Sequence, residues 1–233
     1  MPLETRYYIY ISDSKIEMLL PQVPQSFQEK IAAEIGFNTG LLNGKLKAER
    51  TTLDSRIARL KVIERHLLAN EKIGSQEKRT SWIQGEMLAR TVTLGNDGVI
   101  FIAETPRLLL GLAGSAHHVL GGARPQNVEL PFSFLSRILD ELNEWFRDRF
   151  ERFPSVVMTD MPEERARLQY APSGVSQNFD VWDEILPAAW KSASATEQRV
   201  QFLAKRLASK VNNEGQYQTV TTLATPLYVA LSE

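Results

Sequence analysis

Two apolar segments near opposite ends of the chain place the strongest constraint on its fold. Residues 6–12 (RYYIYIS) and 219–231 (TVTTLATPLYVAL) are rich in β-branched and aromatic residues, which favour strands. The first segment carries apolar residues at consecutive positions, as in a strand that is buried on both faces. Strands need neighbours for their backbone hydrogen bonds, so we expect both segments to join one sheet. Pro226 then marks an edge, a bulge or a strand start.

The middle of the chain shows the pattern of a three-stranded meander over residues 82–112. An Asn96-Asp97-Gly98 turn separates two apolar runs, which is a strong hairpin signal. Pro106 separates the second run from a third. The predicted fold class is therefore α+β, with one mixed or antiparallel sheet of about five strands: the N- and C-terminal strands and the central meander.

Three or four helices are expected to pack on this sheet. Apolar residues recur at helical spacing in the segments around 27–37, 53–68, 133–152 and 194–211, and the last of these begins with the capping box Ser194–Glu197. Apolar residues make up 43% of the 233 positions, enough for one core. We expect a single α+β domain over residues 1–233, with a helical insertion at about 45–75.

The composition limits both the cellular location and the kinds of site chemistry that we expect of this chain. The chain has no cysteine, which excludes disulfides, thiolate metal sites and cysteine nucleophiles. Its first twelve residues lack the basic region and long apolar run of a signal peptide. No window approaches the roughly 20 apolar residues of a membrane span. We expect a cytoplasmic protein that has no membrane partner.

Charge is segregated along the chain although the net charge is only −1. Residues 45–79 carry ten Lys/Arg and five Asp/Glu, whereas residues 129–164 carry nine Asp/Glu and four Arg. Solvated helix faces are the ordinary use of such charge. The basic segment leaves nucleic-acid binding open, but it has no aromatic residue for base stacking.

The segment 111–122 (GLAGSAHHVLGG) is the first candidate site. A Gly114-Ser115 step leading into a helix could bind a phosphate through free N–H groups, with His117 or His118 as acid or base. The alternative is a strand-to-helix turn whose glycines serve packing. Adjacent histidines point in different directions, so we expect no metal site and no cofactor.

The second candidate site is Ser12-Asp13-Ser14-Lys15, at the end of the first strand. Polar residues in that place often line a crevice, where Asp13 and Lys15 could bind or polarise a substrate. The alternative is that Asp13 or Ser14 caps the next helix while Lys15 points to water. The predicted ligand-binding residues of the two candidate sites are Ser12, Asp13, Lys15, Gly114, Ser115 and His118, and the candidate catalytic residues are His117, His118, Asp13 and Lys15. Any shared site requires the two segments to converge on one cavity.

Three pieces of the sequence together resemble an uncharacterised bacterial family of similar length. They are the opening YYIYISDSKIEMLLPQVP, the central GLAGSAHHVLGG and the closing TPLYVAL. The resemblance runs nearly end to end. It implies a stand-alone domain associated with multi-component signalling or conflict systems, and it implies no particular reaction or catalytic residue.

Two functions follow as hypotheses. The favoured one is a non-enzymatic module that binds another protein of the same system or a ligand, because segregated charge and many aromatic residues suit interfaces. The alternative is an enzyme or sensor that acts on a phosphate-bearing small molecule or nucleotide through the Gly-Ser/His turn.

Overall fold

The structure is a computed structural model that describes residues 6–34, 52–75, 80–94, 97–121, 135–151, 180–193, 196–214 and 217–232. Within them, seven strands form one sheet: β1 (Tyr7–Ile11), β2 (Ile73–Gly74), β3 (Trp82–Leu94), β4 (Gly98–Thr105), β5 (Leu108–Ser115), β6 (Gln198–Glu214) and β7 (Tyr217–Leu231).

Five of these strands close the sheet into a small barrel. Antiparallel pairs join β3 to β4, β4 to β5, β7 to β6 and β6 back to β3, and the one parallel pair of the ring joins β5 to β7. β1 extends the sheet by pairing antiparallel with the last residues of β7, and β2 pairs in parallel with the start of β3. The predicted α+β class and mixed sheet are confirmed, with more strands than the five expected.

Five α-helices cover the outside of the sheet in the described ranges: α1 (Asp13–Leu19), α2 (Gln25–Glu34), α3 (Thr52–Asn70), α4 (Leu135–Phe146) and α5 (Leu186–Ser192). The first three share one apolar cluster with β1 and β7, and α4 and α5 share another with β4 and β5. No helix in the described part of the chain is both long and apolar enough to span a membrane. α3 lies within the predicted helical insertion, whose first residues, 45–51, are outside the described ranges.

β4 and β5 are buried on both faces over most of their length. Val99 and Phe101 of β4 point into the barrel with Tyr10 and Phe202, whereas Ile100, between them in sequence, packs against the outer helices. Alternate side chains of a strand point to opposite faces, so burial of both faces makes the strand a continuous apolar run. This is why the second and third strands of the meander and the second half of β7 could be recognised from sequence.

The predicted helix at residues 194–211 is wrong, because this segment forms β6. Val200, Phe202 and Ala204 alternate into the barrel, while Leu203 faces the cluster of the first three helices. Leu207 also packs on the outer side, so apolar residues from the two faces of the strand fall by coincidence at the three- and four-residue spacing of a helix. The register of the closed sheet outweighs the capping box as a local signal.

Two turn predictions agree with the strand register. The hairpin joins Leu94 to Gly98 as partners. Pro226 lies at a bulge, since Leu203 pairs with Tyr228 while the next residue, Ala204, pairs with Pro226. The bulge was one of the three positions expected for this proline.

Candidate functional site

The candidate segment Ser12–Lys15 runs from the end of β1 into the first turn of α1, and its Ser12 and Lys15 are buried. Ser12 donates its backbone N–H to the Leu227 carbonyl of β7 at 2.9 Å, and its side chain caps α1 by accepting from the Lys15 N–H at 3.4 Å. The cap is therefore Ser12, and not Asp13 or Ser14. Lys15 is only 4% exposed, which contradicts the expectation that it could point to water.

The candidate segment 111–122 differs from its predicted structure. Gly111 to Ser115 belong to β5, and residues Ala116–His118 form a single 3-10 turn that ends at Val119, which bridges to Tyr10 of β1. The Ala116 N–H donates to the Asp97 carbonyl at 2.7 Å and the His117 N–H to Ser115 Oγ at 3.3 Å. These N–H groups are already used, so the expected helix N-terminus with free donors for a phosphate is absent from the described turn.

Gly114 serves close packing. A Cβ at this position would overlap the hydroxyl of Tyr10, whose ring is fully buried in the barrel. The same ring lies edge-on to Phe101 and to His118, with centroids 5.9 Å apart in each pair. Gly114 thus admits Tyr10, and Tyr10 in turn supports one face of the His118 imidazole.

The two candidate segments meet at His118. Its Nε2 lies 3.4 Å from Ser14 Oγ, and its Nδ1 lies 3.7 Å from Asp13 Oδ2, which is within ion-pair range but longer than a hydrogen bond. The chain leaving the 3-10 turn runs beside β1, where the Leu120 N–H donates to the Ile9 carbonyl at 2.9 Å. This pairing brings together residues that are 104 positions apart.

Arg56 of α3 completes the arrangement, and sequence reasoning missed it. Its Nε lies 2.5 Å from Asp13 Oδ1, and Nη2 donates to the Ile11 carbonyl at 2.5 Å. Burial alone would raise the pKa of Asp13, but the contacts with His118 and Arg56 outweigh it and the pKa is lowered. No local pattern singles out Arg56 among the basic residues of α3, since its partners come from β1 and α1.

A row of hydrogen-bonding groups continues from His118 into the interior. Ser12 Oγ lies 3.3 Å from Ser14 Oγ and 3.3 Å from Lys15 Nζ. We call Ser12, Asp13, Ser14, Lys15, Arg56 and His118 the polar cluster. Burial lowers the pKa of Lys15 to about 7, since a low-dielectric surrounding disfavours the ammonium. Serine and lysine three positions apart at a helix start is the signal that could have paired Ser12 with Lys15.

The polar cluster includes four of the predicted site residues and leaves out three. Ser12, Asp13, Lys15 and His118 come together, whereas Gly114 packs on Tyr10 and Ser115 caps the 3-10 turn. His117 lies edge-on to His118, with ring centroids 5.8 Å apart. Among the described residues, no group of three or more His, Asp or Glu is placed to hold a metal ion.

Comparison with known proteins gives a family and no precedent for the chemistry. The model of a family of unknown function, DUF7019, matches residues 6–233. No curated protein and no solved structure matches the chain. The resemblance to an uncharacterised family is confirmed, whereas the bacterial origin and the association with signalling or conflict systems stay predictions.

Proposed function

The chain belongs to DUF7019, a family of unknown function, and we propose that it is an acyl-transfer enzyme in which Ser14 is the nucleophile. One observation carries the proposal. A serine hydroxyl, an imidazole and a carboxylate follow one another as Ser14 Oγ to His118 Nε2 at 3.4 Å and His118 Nδ1 to Asp13 Oδ2 at 3.7 Å. A nucleophile beside a base that a third group orients is the general signature of covalent catalysis.

Burial gives each member of this series a separate role. Ser14 is partly exposed and reachable, whereas the His118 side chain is 12% exposed and held against Tyr10. Asp13 orients the ring and stabilises the imidazolium that forms, and Arg56 fixes Asp13 from the other side. The contact of Ser14 with His118 is a long hydrogen bond and that of His118 with Asp13 is longer than one. Catalytic hydrogen bonds often tighten only when substrate binds.

In the covalent step His118 first accepts a proton and then donates it. Ser14 Oγ bonds to the carbonyl carbon of an ester or amide while its own proton passes to His118 Nε2. The bond to the leaving group then breaks, and the leaving group takes that proton from His118. A water molecule, activated in turn by His118, releases the acid and restores Ser14.

A fluorophosphonate probe tests the assignment, because it phosphonylates activated serines with loss of fluoride. We expect the intact protein to be labelled on Ser14, as mapped by peptide mass spectrometry. Ser14→Ala should abolish the labelling. The matched control is Ser26→Ala, which removes an exposed serine of α2 and should leave it unchanged. Labelling at the rate of a free serine in the intact protein would refute the proposal.

The phosphate-bearing substrate predicted from sequence stays a prediction. The N–H groups of Ala116 and His117 donate to the Asp97 carbonyl and to Ser115 Oγ, and the guanidinium of Arg56 faces Asp13 and the Ile11 carbonyl. A thermal-shift panel of nucleotides at millimolar concentration tests it, since a ligand of the folded state raises the melting temperature. A rise that is lost in His118→Ala would support such a substrate.

A non-enzymatic binding module is the second candidate function, and a surface near the start of β6 favours it. Leu88 of β3 is 50% exposed and lies with Met87 beside the Glu86–Arg199 ion pair in an open depression of about 260 Å³. An apolar centre with a charged rim suits a protein partner. Leu88→Asp should then abolish co-purification of a partner from the native host while Ser14→Ala preserves it, and the reverse result would favour the enzyme.

A further inference from the structure

We infer that Ser14 has a second proton acceptor, the amine of Lys15, which it reaches through the hydroxyl of Ser12. This inference rests on the proposed function, because it concerns the same nucleophile. It adds a positioning residue, Ser12, and a base, Lys15, that the Ser14–His118–Asp13 series does not use.

Geometry carries the inference. Ser14 Oγ is contacted by two groups: His118 Nε2 at 3.4 Å and Ser12 Oγ at 3.3 Å. Ser12 Oγ in turn lies 3.3 Å from Lys15 Nζ. Ser12 is fully buried and Lys15 nearly so, so bulk water does not compete strongly for these contacts. The reachable hydroxyl of Ser14 is thus connected through one serine to an interior amine.

The protonation of Lys15 and the charges of its neighbours fit the role of a proton acceptor. Arg56 and Asp13 lie 2.5 Å apart and compensate each other, and Tyr10 stays a neutral phenol because burial raises its pKa. His118 faces Ser14 and Asp13. Burial lowers the pKa of Lys15 to about 7, so a large share of it is neutral amine in a mildly alkaline buffer.

Two proton transfers take place along this route. As Ser14 Oγ bonds to the electrophile, its proton passes to Ser12 Oγ, and the hydroxyl proton of Ser12 passes to Lys15 Nζ. Lys15 becomes an ammonium and Ser12 is a neutral hydroxyl again. With a fluorophosphonate the O–P bond forms, the P–F bond breaks and fluoride leaves.

The test measures the rate of fluorophosphonate labelling at Ser14 against pH in a His118→Gln background, which removes the imidazole route. We expect labelling to be slower than in the unmodified chain, yet present and rising with pH through about 7. Adding Lys15→Met should lower the remaining rate by about 100-fold or more, the usual contribution of a positioned base. Adding Lys30→Met, an exposed lysine of α2, should change nothing.

A second variant protects the test against misfolding. Ser12→Ala in the His118→Gln background removes the hydroxyl that links Ser14 to Lys15 and leaves the amine in place. It should therefore also remove the rise of the labelling rate with pH. Circular dichroism melting establishes that each variant is folded. If the His118→Gln protein is not labelled, or if Lys15→Met and Ser12→Ala leave its rate and pH profile unchanged, the inference fails and Ser14 with His118 stands. If the intact protein is not labelled at Ser14, the proposed function fails as well.

Discussion

Replacing Lys15 by methionine should remove a specific rise of stability with pH. The unfolded chain keeps the proton of this lysine up to an ordinary pKa of 10.5, whereas the folded chain releases it at about 7. Between these values the unfolded state binds more protons, so the free energy of unfolding increases with pH. Below pH 7 both states are charged, and the full cost of burying the ammonium is present.

The magnitude follows from the two pKa values. One pKa unit corresponds to about 1.4 kcal/mol, so the whole interval contributes about 5 kcal/mol. Tyrosines of the unfolded chain begin to titrate near pH 10, so the measurement should stop at about pH 9.5. From pH 7 to that limit, Lys15 should raise the free energy of unfolding by about 3 kcal/mol.

Urea unfolding followed by circular dichroism at half-unit pH steps gives the required curves. Subtracting the free energy of unfolding of Lys15→Met from that of the original chain at each pH isolates the contribution of Lys15, because the contributions of the other titrating groups cancel. Lys30→Met serves as the control and should give a flat difference, since Lys30 is exposed on α2. A flat or falling difference for Lys15→Met would mean that the folded chain keeps the ammonium at neutral pH, which would refute the reasoning.

Three further substitutions test the packing and the electrostatics of the site. Gly114→Ala should lower stability by about 1–3 kcal/mol because its methyl overlaps the Tyr10 hydroxyl, and adding Tyr10→Phe should recover part of the loss in the melting temperature. Arg56→Met should raise the pKa of Asp13 by removing a contact that lowers it, and an unchanged carboxyl titration by NMR would contradict this. Phe202→Ala should cost about 3–5 kcal/mol in urea unfolding, because this side chain is buried in the barrel; a cost below about 1 kcal/mol would contradict its place there.

Local signals identified β1, β3, β4, β5 and β7, and their ambiguity explains the wrong helix at residues 194–211. The 82–112 meander could be predicted because its turns and apolar runs are adjacent in sequence. β6 could not, because Leu203 and Leu207 pack against the outer helices while its other apolar residues point into the barrel. Apolar residues on both faces obscure the alternation that distinguishes a strand from a helix. Only its partners β3 and β7 decide its state, and they are set by closure of the sheet.

Only those contacts of the polar cluster that join residues close in sequence could be predicted. Ser12 and Lys15 are three positions apart at a helix start, so the local sequence predicts their contact. The meeting of Asp13 with His118 depends on the run of chain beside β1, and Arg56 reaches it from a separate helix. Contacts between distant segments leave no periodic trace in a single sequence.

The position of β7 determines the order in which this molecule can assemble. β7 pairs with β6 along most of its length, and its other edge is divided between β5 and β1. Even the residue that caps α1 relies on it, through the bond from Ser12 to Leu227. During translation β1 therefore cannot form its pairing with β7 until residues more than 200 positions later have been synthesised. Such non-local pairing is slow to form. A chain without residues 217–231 would hold the residues of the polar cluster without the strand that pairs with β1.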